Sequence, residues 1–288
     1  MALFTIIKFY YRIDNNCGDS MKKIVEDTIY DFIKKMGYLE NRHVIGILFY
    51  GSYLTGYDRP GSDIDLHVVF DNLDPKHIIR GNERVNGIRI EYFEKPLRDI
   101  YQSIDNDFEE QNNAWLPIIG KSQIILDRTG ALEMLQEYAV KKFSKPLPPM
   151  DLNKAKEKVS ILDNRMEKLE MAAASNDPEF THLYHLTIEK IRKFYHKLKG
   201  YPVVSTTKVK RIYEDEAYRK SFDKTEIPEQ EFVDMYLSLI VDETSDKQTK
   251  YNNIKQFYEY ATRDVELNRD SYRILIESRN NPNFRHWD

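Results

Sequence analysis

Two acidic residues within an apolar segment are the part of this sequence best suited to chemistry. Asp63 and Asp65 are separated by one isoleucine and belong to the predominantly apolar segment 63–70. Because side chains of a β-strand alternate between its two faces, the two aspartates are expected to share a face. Neighbouring carboxylates repel each other unless a cation lies between them. The pair therefore predicts a hard divalent cation, above all Mg2+, which takes oxygen ligands and bridges to phosphates.

A glycine–serine pair lies upstream of the acidic pair. Gly51 and Ser52 follow the apolar segment 47–50. Glycine lets the backbone approach a phosphate closely, and a helix that starts at such a turn presents free N–H groups to an anion. A phosphate-binding turn beside a metal-binding acidic pair indicates metal-assisted phosphoryl or nucleotidyl transfer. The alternative is a structural hairpin, which does not require two acids on one face of so apolar a strand.

The full set of these residues resembles a known signature. It comprises Gly-Ser at 51–52, the spacer glycines Gly56 and Gly61, and Ser-Asp-Ile-Asp-Leu at 62–66. This combination is similar to the signature of the polymerase-beta-like nucleotidyltransferase superfamily, and most similar to its bacterial branch of antibiotic nucleotidyltransferases and small MNT proteins.

The resemblance implies roles for these residues. Gly51, Ser52 and Ser62 are expected to contact the nucleotide, and Asp63 and Asp65 to bind one or two Mg2+. It also implies ATP as the donor of a nucleoside monophosphate.

A third carboxylate usually lies on the strand after the Asp-x-Asp strand in this superfamily. Alternation over residues 85–93 predicts that strand, and Glu91 is the matching candidate, with Glu94 a weaker rival. Relatives known for DNA synthesis use aspartate there. Whether Glu91 is a metal ligand or a general base is therefore left open, and an edge-strand glutamate facing water is the alternative.

A basic segment in the second half is a further candidate. Residues 205–211 combine three hydroxyl side chains with the cations that follow, which suits phosphate binding at a helix start. In relatives of this branch a lysine from the helical domain reaches the triphosphate, and Lys208 is the matching residue. A solvated basic helix face explains the same pattern equally well.

Two other constellations are interpreted as structural. His182, His185 and Glu189 share a helical stripe, but their spacing matches no standard zinc motif. Arg192 and His196 resemble the Arg-and-His motif of HEPN ribonuclease toxins, with an interval one residue shorter than that family's usual minimum.

Composition restricts the classes of protein. The chain has 288 residues, a net charge of -4 and a hydrophobic fraction of 41%, which suffices for a buried core and argues against a broad nucleic-acid-binding surface. Cys17 is the single cysteine, which excludes an internal disulfide and favours a cytoplasmic location. No apolar run is long enough for a membrane span, and the first residues make a poor signal peptide. Met21 looks like a second start, so residues 1–20 are expected to form a loosely ordered extension.

The pattern of elements predicts an α+β protein. Residues 21–145 are expected to form a mixed β-sheet nucleotidyltransferase domain with flanking helices. A proline-rich linker at 145–150 precedes a helical bundle domain at 151–288. The active cleft is expected between the two domains.

The predicted elements position the candidate residues. Asp127 is expected to be structural, as a cap for the helix 131–142. The predicted strands are 44–50, 63–70, 85–93 and 118–126. The predicted helices are 21–36, 53–55, 96–112, 131–142, 151–175, 179–199, 208–222, 228–242 and 247–280.

The predicted reaction is transfer of a nucleoside monophosphate to a hydroxyl group. The first hypothesis for the acceptor is a small hydroxylated molecule such as an aminoglycoside or lincosamide antibiotic. One alternative is an MNT-type antitoxin that modifies protein and binds a toxin partner, although the long helical domain argues against it. Another is a nucleotide second-messenger synthase. Neither a membrane nor an extended nucleic acid is expected as a partner.

Overall fold

The computed structural model describes residues 19–71, 78–112, 114–222 and 226–267. The predicted extension at 1–20 lies outside this part of the chain except for its last two residues, and so does the predicted helix beyond 267. The described chain divides into two compact units. The first runs to Leu147 and includes residues 214–222, and the second comprises residues 148–213 and those from Glu226 onward.

The first unit contains a mixed five-stranded sheet, which confirms the predicted α+β class. Its spatial order is β3-β4-β2-β1-β5. The β2–β4 pair is parallel and the other pairs are antiparallel. The strands are β1 (Val44–Tyr50), β2 (Ile64–Phe70), β3 (Ile79–Val85), β4 (Ile88–Pro96) and β5 (Gln123–Asp127).

Both faces of the central strands are buried. Ile47 and Leu66 pack towards α1 (Asp19–Lys35), whereas Leu48 and Val69 belong to a second core on the opposite face. Burial on both sides explains why β1 and β2 are nearly continuous apolar sequences. The second core is completed by α3 (Leu97–Glu109), a π-helical turn (Leu116–Gly120) and α4 (Ala131–Phe143).

The predicted strand 85–93 is confirmed from Ile88 onward as part of β4, but its start is wrong because the chain turns at residues 86 and 87. Strands β3 and β4 are joined at Asn86 and Gly87, whose φ angles of 50° and 81° suit a type I′ turn. The Asn-Gly pair is a strong hairpin signal in the sequence. The first strand was missed because its side chains are exposed or half-buried and show no apolar alternation.

Two further boundaries differ from the prediction. The apolar run 118–126 enters the π-helical turn before it becomes β5. The predicted helix 208–222 is two helices, α7 (Val209–Glu214) and α8 (Glu216–Ser221). The break occurs at Asp215, whose side chain accepts a hydrogen bond from the Tyr218 N–H at 2.8 Å and so caps α8.

The second unit is a helical bundle, as predicted. Its centre is aromatic: the rings of Tyr195 and Phe232 stack at 4.1 Å, and Phe232 lies 4.9 Å from Phe257. Among the described residues, no helix combines the length and the apolar character that a bilayer crossing requires. Besides α7, its helices are α5 (Leu152–Ala174), α6 (Phe180–Lys199), α9 (Gln230–Val241) and α10 (Lys247–Thr262).

Asp127 has the structural role that the sequence predicts. Its two carboxylate oxygens accept hydrogen bonds from four backbone N–H groups, at distances from 2.9 to 3.3 Å. These N–H groups belong to the turn after β5 and the first turn of α4. The carboxylate therefore satisfies donors that a helix start leaves without partners.

We expect Asp127→Ala to lower the free energy of unfolding by about 1–3 kcal/mol, because the N–H groups lose their acceptor. Asp127→Asn keeps part of the acceptor capacity and should cost less. Urea unfolding followed by tryptophan fluorescence measures both. Glu133→Ala in the same first turn is the control, and equal stability of Asp127→Ala and this control would contradict the assignment.

Candidate active site

Three carboxylates converge at one end of the β2–β4 pair. Asp63 precedes β2, Asp65 is its second residue, and Glu91 on β4 is the register partner of Asp65. One carboxylate oxygen from each residue lies within 4.8 Å of the other two, and all three side chains are half-buried. The two aspartates and the glutamate singled out in the sequence are thus brought together.

This cluster fits a divalent cation. At a separation of 4.8 Å and an effective dielectric constant of about 20, two unit negative charges repel by roughly 3 kcal/mol. A cation would remove that cost. The donor set consists of oxygens alone, which suits a hard ion such as Mg2+ or Mn2+ better than zinc.

Gly51 lets the turn after β1 approach the carboxylates. Its φ angle is 96°, and a Cβ atom at this position would lie 2.2 Å from Oδ2 of Asp65. A side chain here would therefore be strained and would collide with the carboxylate. Ser52 follows directly and opens the short helix α2 (Ser52–Thr55).

The loop between α2 and β2 is closed by its own hydrogen bonds. The Arg59 N–H donates to the Ser62 hydroxyl oxygen at 2.8 Å, and the Tyr53 hydroxyl donates to the Ser62 carbonyl at 3.2 Å. The Tyr57 ring packs edge-on against Tyr218 of α8, with centroids 5.0 Å apart. A segment from the second half of the chain thus supports this loop, which the sequence did not indicate.

Tyr50 is a site residue that the sequence analysis missed. It pairs with Asp65 across β1 and β2. Burial, followed by the nearby charges of Asp65 and Glu91, raises the pKa of its hydroxyl. The hydroxyl therefore stays protonated and is able to donate a hydrogen bond. Its position directly before Gly51 is the signal that would have pointed to it.

Arg80 on β3 is a second residue that was missed. Its Nε donates to Oε1 of Glu91 at 2.8 Å, and its Nη2 contacts the same oxygen. The Arg80 side chain is 70% exposed, whereas that of Glu91 is 16% exposed. Arg80 was overlooked because the sequence predicted no strand over residues 79–84, which belong to β3.

His67 lies behind the carboxylates on the same face of β2. Its ring stacks on Phe93 with centroids 5.4 Å apart and lies edge-on to Trp115 at 5.4 Å. Burial, with a smaller contribution from Lys95, lowers the pKa of His67 to about 3. The imidazole is therefore neutral and contributes packing.

Glu94, the weaker rival for the third carboxylate, faces the other side of the sheet. It is 5% exposed and accepts a hydrogen bond from the Tyr38 hydroxyl at 2.5 Å. The alternation of β4 separates it from Glu91, so it takes no part in the cluster.

Lys208 lies in the second unit, immediately before α7. Its backbone N–H donates to the Ser205 carbonyl at 3.0 Å, and the Ser205 and Thr207 hydroxyls are 3.1 Å apart. The contact of Lys208 with a nucleotide remains a prediction.

Arg192 and His196 are core residues, as interpreted from the sequence. They are 0% and 1% exposed. Arg192 donates to Glu189 at 2.8 Å, and His196 lies 2.7 Å from the Pro202 carbonyl. Burial, followed by the charge of Arg192, lowers the pKa of His196 to about 3. His182 and His185 are exposed, and the described residues contain no group joining them to Glu189 closely enough to hold a metal ion.

Comparison with known proteins identifies the segment around the cluster. Residues 28–115 match the nucleotidyltransferase domain family. The first unit contains a nucleotidyltransferase domain. The match indicates an enzyme of the nucleotidyl-transferring class. It implies a nucleoside triphosphate as substrate and a divalent metal ion, which the carboxylate cluster could hold. The match names the domain family as a whole, so the antibiotic or MNT branch remains a prediction.

A solved structure shows a weaker likeness. The chain is similar to a nucleotidyltransferase-like protein from Exiguobacterium sibiricum, with 11% identity and a TM-score of 0.46. The similarity covers 83% of this chain and 74% of the other. No curated protein matches the sequence.

We expect Gly51→Ala to reduce nucleotidyl transfer at least about 100-fold, because the added methyl group displaces the Asp65 carboxylate from the cluster. Gly56→Ala is a matched control, since Gly56 also has a positive φ angle, 72°, but a Cβ there meets nothing within 4 Å. Steady-state rates of both variants test the difference. Similar losses in the two variants would show that backbone strain alone accounts for the effect.

Proposed function

We propose that this nucleotidyltransferase moves AMP from ATP to a hydroxyl group of a small molecule and releases pyrophosphate. The observation that carries the proposal is the approach of the Gly51 turn to the carboxylates of Asp65 and its neighbours, within the segment that matches the family. A triphosphate on that turn would lie next to the metal-binding oxygens. A cytoplasmic location, favoured by the single cysteine, is part of the proposal.

The residues around the cluster have two proposed roles, metal binding and phosphate orientation. Asp63, Asp65 and Glu91 would hold Mg2+, which neutralises charge on the transferring phosphoryl group and on the leaving oxygen. Ser52 and Ser62, with the backbone beside Gly51, would orient the phosphates. Hydrogen bonds within the loop keep Ser62 in position for that task.

Two further groups complete the proposal. The Tyr50 hydroxyl, held in its neutral form, would donate a hydrogen bond to an oxygen of the substrate. Lys208 of the second unit would bind the triphosphate as a point charge.

The proposed transfer requires only ATP and the acceptor as reactants. The acceptor oxygen forms a bond to the α-phosphorus, and the bond from that phosphorus to the pyrophosphate oxygen breaks. The hydroxyl proton leaves to a base. Because the three carboxylates of the cluster are assigned to the metal ion and Glu91 is engaged by Arg80, a water molecule accepts that proton in this proposal.

The aspartate variants test the metal-binding role. We expect Asp63→Asn and Asp65→Asn each to lower kcat by at least about 1,000-fold, because a neutral amide is a poor ligand for Mg2+ and leaves the transferring phosphate charge unscreened. Glu91→Gln should also cause a large loss. Rates with α-labelled ATP and circular dichroism spectra measure activity and folding.

Asp58→Asn is the matched control for this series, because Asp58 lies in the same loop outside the cluster. Its rate should stay within about twofold of the original enzyme. Full activity in either Asp63→Asn or Asp65→Asn would contradict the proposed metal site.

The acceptor is tested by incubating the enzyme with labelled ATP, Mg2+ and a panel of aminoglycosides and lincosamides. We expect label on one of these antibiotics, since the resemblance favours an acceptor of this kind. Labelled protein would support the alternative of protein modification. An oligonucleotide formed without any acceptor would support a second-messenger synthase.

A further inference from the structure

Arg80 is bound to the carboxylate cluster from a strand outside the signature. It is the second residue of β3 and lies opposite Phe93 in the antiparallel register with β4. Its guanidinium carbon is 5.2 Å from the Phe93 ring centroid, and both Nε and Nη2 contact Oε1 of Glu91. The ring and the carboxylate together determine the orientation of the guanidinium group.

This contact has an electrostatic consequence. Three carboxylates within 4.8 Å of one another repel, and Arg80 supplies a positive charge to one of them. The same charge opposes the approach of a divalent cation. Because Arg80 is mostly exposed, solvent screening reduces both effects without removing them.

The contact also has a geometric consequence. Both guanidinium nitrogens engage Oε1, so this oxygen of Glu91 is committed to Arg80. The second oxygen, Oε2, would then be the one available to a metal ion. A carboxylate held in this way presents a single ligand atom in a defined direction, which a freely rotating glutamate does not.

We propose that Arg80 is a positioning residue of the active site: it orients Glu91 as a metal ligand through one oxygen and offsets the charge of the carboxylate cluster. This inference rests on the proposed function, because it requires the cluster to bind a divalent cation. It assigns Glu91 to metal binding, with the acceptor proton leaving by another group.

The test compares Arg80→Ala, Arg80→Lys and Arg84→Ala. Arg84 is on the same strand and its guanidinium donates to the Gly87 carbonyl at 2.7 Å, so its removal changes the net charge equally without touching the cluster. Mn2+ is the probe: electron paramagnetic resonance of free Mn2+ gives its affinity for each protein without nucleotide. Turnover at saturating Mn2+ and circular dichroism spectra are measured alongside.

For Arg80→Ala we expect Mn2+ affinity to rise about fivefold, because an opposing charge is removed. Turnover at saturating Mn2+ should nevertheless fall about tenfold, because Glu91 loses its orientation. Arg80→Lys keeps the positive charge but lacks the planar guanidinium group that contacts Glu91 through two nitrogens. Its Mn2+ affinity should therefore lie within about twofold of that of the unsubstituted enzyme, while its turnover recovers only in part. Arg84→Ala should change neither quantity.

Equal Mn2+ affinities in Arg80→Ala and Arg84→Ala, or unchanged turnover in Arg80→Ala, would overturn the assignment of Arg80. Asp63→Asn separates this failure from that of the proposed function. If Asp63→Asn loses Mn2+ binding while Arg80→Ala behaves as Arg84→Ala does, the metal site stands and the role of Arg80 fails. If Asp63→Asn binds Mn2+ like the original enzyme, both proposals fail.

Discussion

Mutual repulsion among three carboxylates is the constraint on which the site depends. Such groups stay close only if the backbone beneath them is held firmly, and here the parallel pairing of β2 with β4 sets Asp65 beside Glu91. Side chains of β2 alternate between the two faces of the sheet, so a register slip of one residue would move Leu66 out of its core and turn Asp65 away from Glu91. The hydrophobic core thus supplies the free energy that keeps the charges together.

The glycine turn and its loop are adapted to the same cluster. At Gly51 the backbone passes so close to Asp65 that any side chain there would have to displace the carboxylate. The loop that follows is closed through Ser62 and packed by Tyr57 against α8. As a result, the fold brings together the glycine turn and the acidic pair, which are separate in sequence.

Two cations, Arg80 and Lys95, lie on the same face of the sheet as the cluster and contact aromatic rings there. The neutral ring of His67 contacts the rings of Phe93 and Trp115. The Arg80 guanidinium also contacts Phe93, and the Trp115 ring lies 4.7 Å from the Lys95 ammonium. A neutral imidazole avoids adding a third cation to this row. The row supports Arg80 at the edge of the site, where it engages Glu91.

The sequence by itself determined the α+β class and the boundaries of β1, and it singled out the acidic pair. These depend on local patterns: alternation in a buried strand, an acidic pair spaced by one residue, and a glycine where the chain turns. The capping role of Asp127 was also predictable from the sequence, because a helix cap forms hydrogen bonds within a few residues of itself. Glu91 was reached only through the resemblance to the superfamily, with Glu94 as a rival.

Only the tertiary structure decided the surroundings of the cluster. Strand β3 has no apolar periodicity because its side chains are largely exposed, so nothing in the local sequence revealed Arg80. Tyr218 and Tyr57 are distant in the chain, and their contact arises from folding. Side chains that contact each other across strands produce no regular pattern in the local sequence. Their partners are determined by the strand register and by the tertiary fold, which bring distant parts of the chain together.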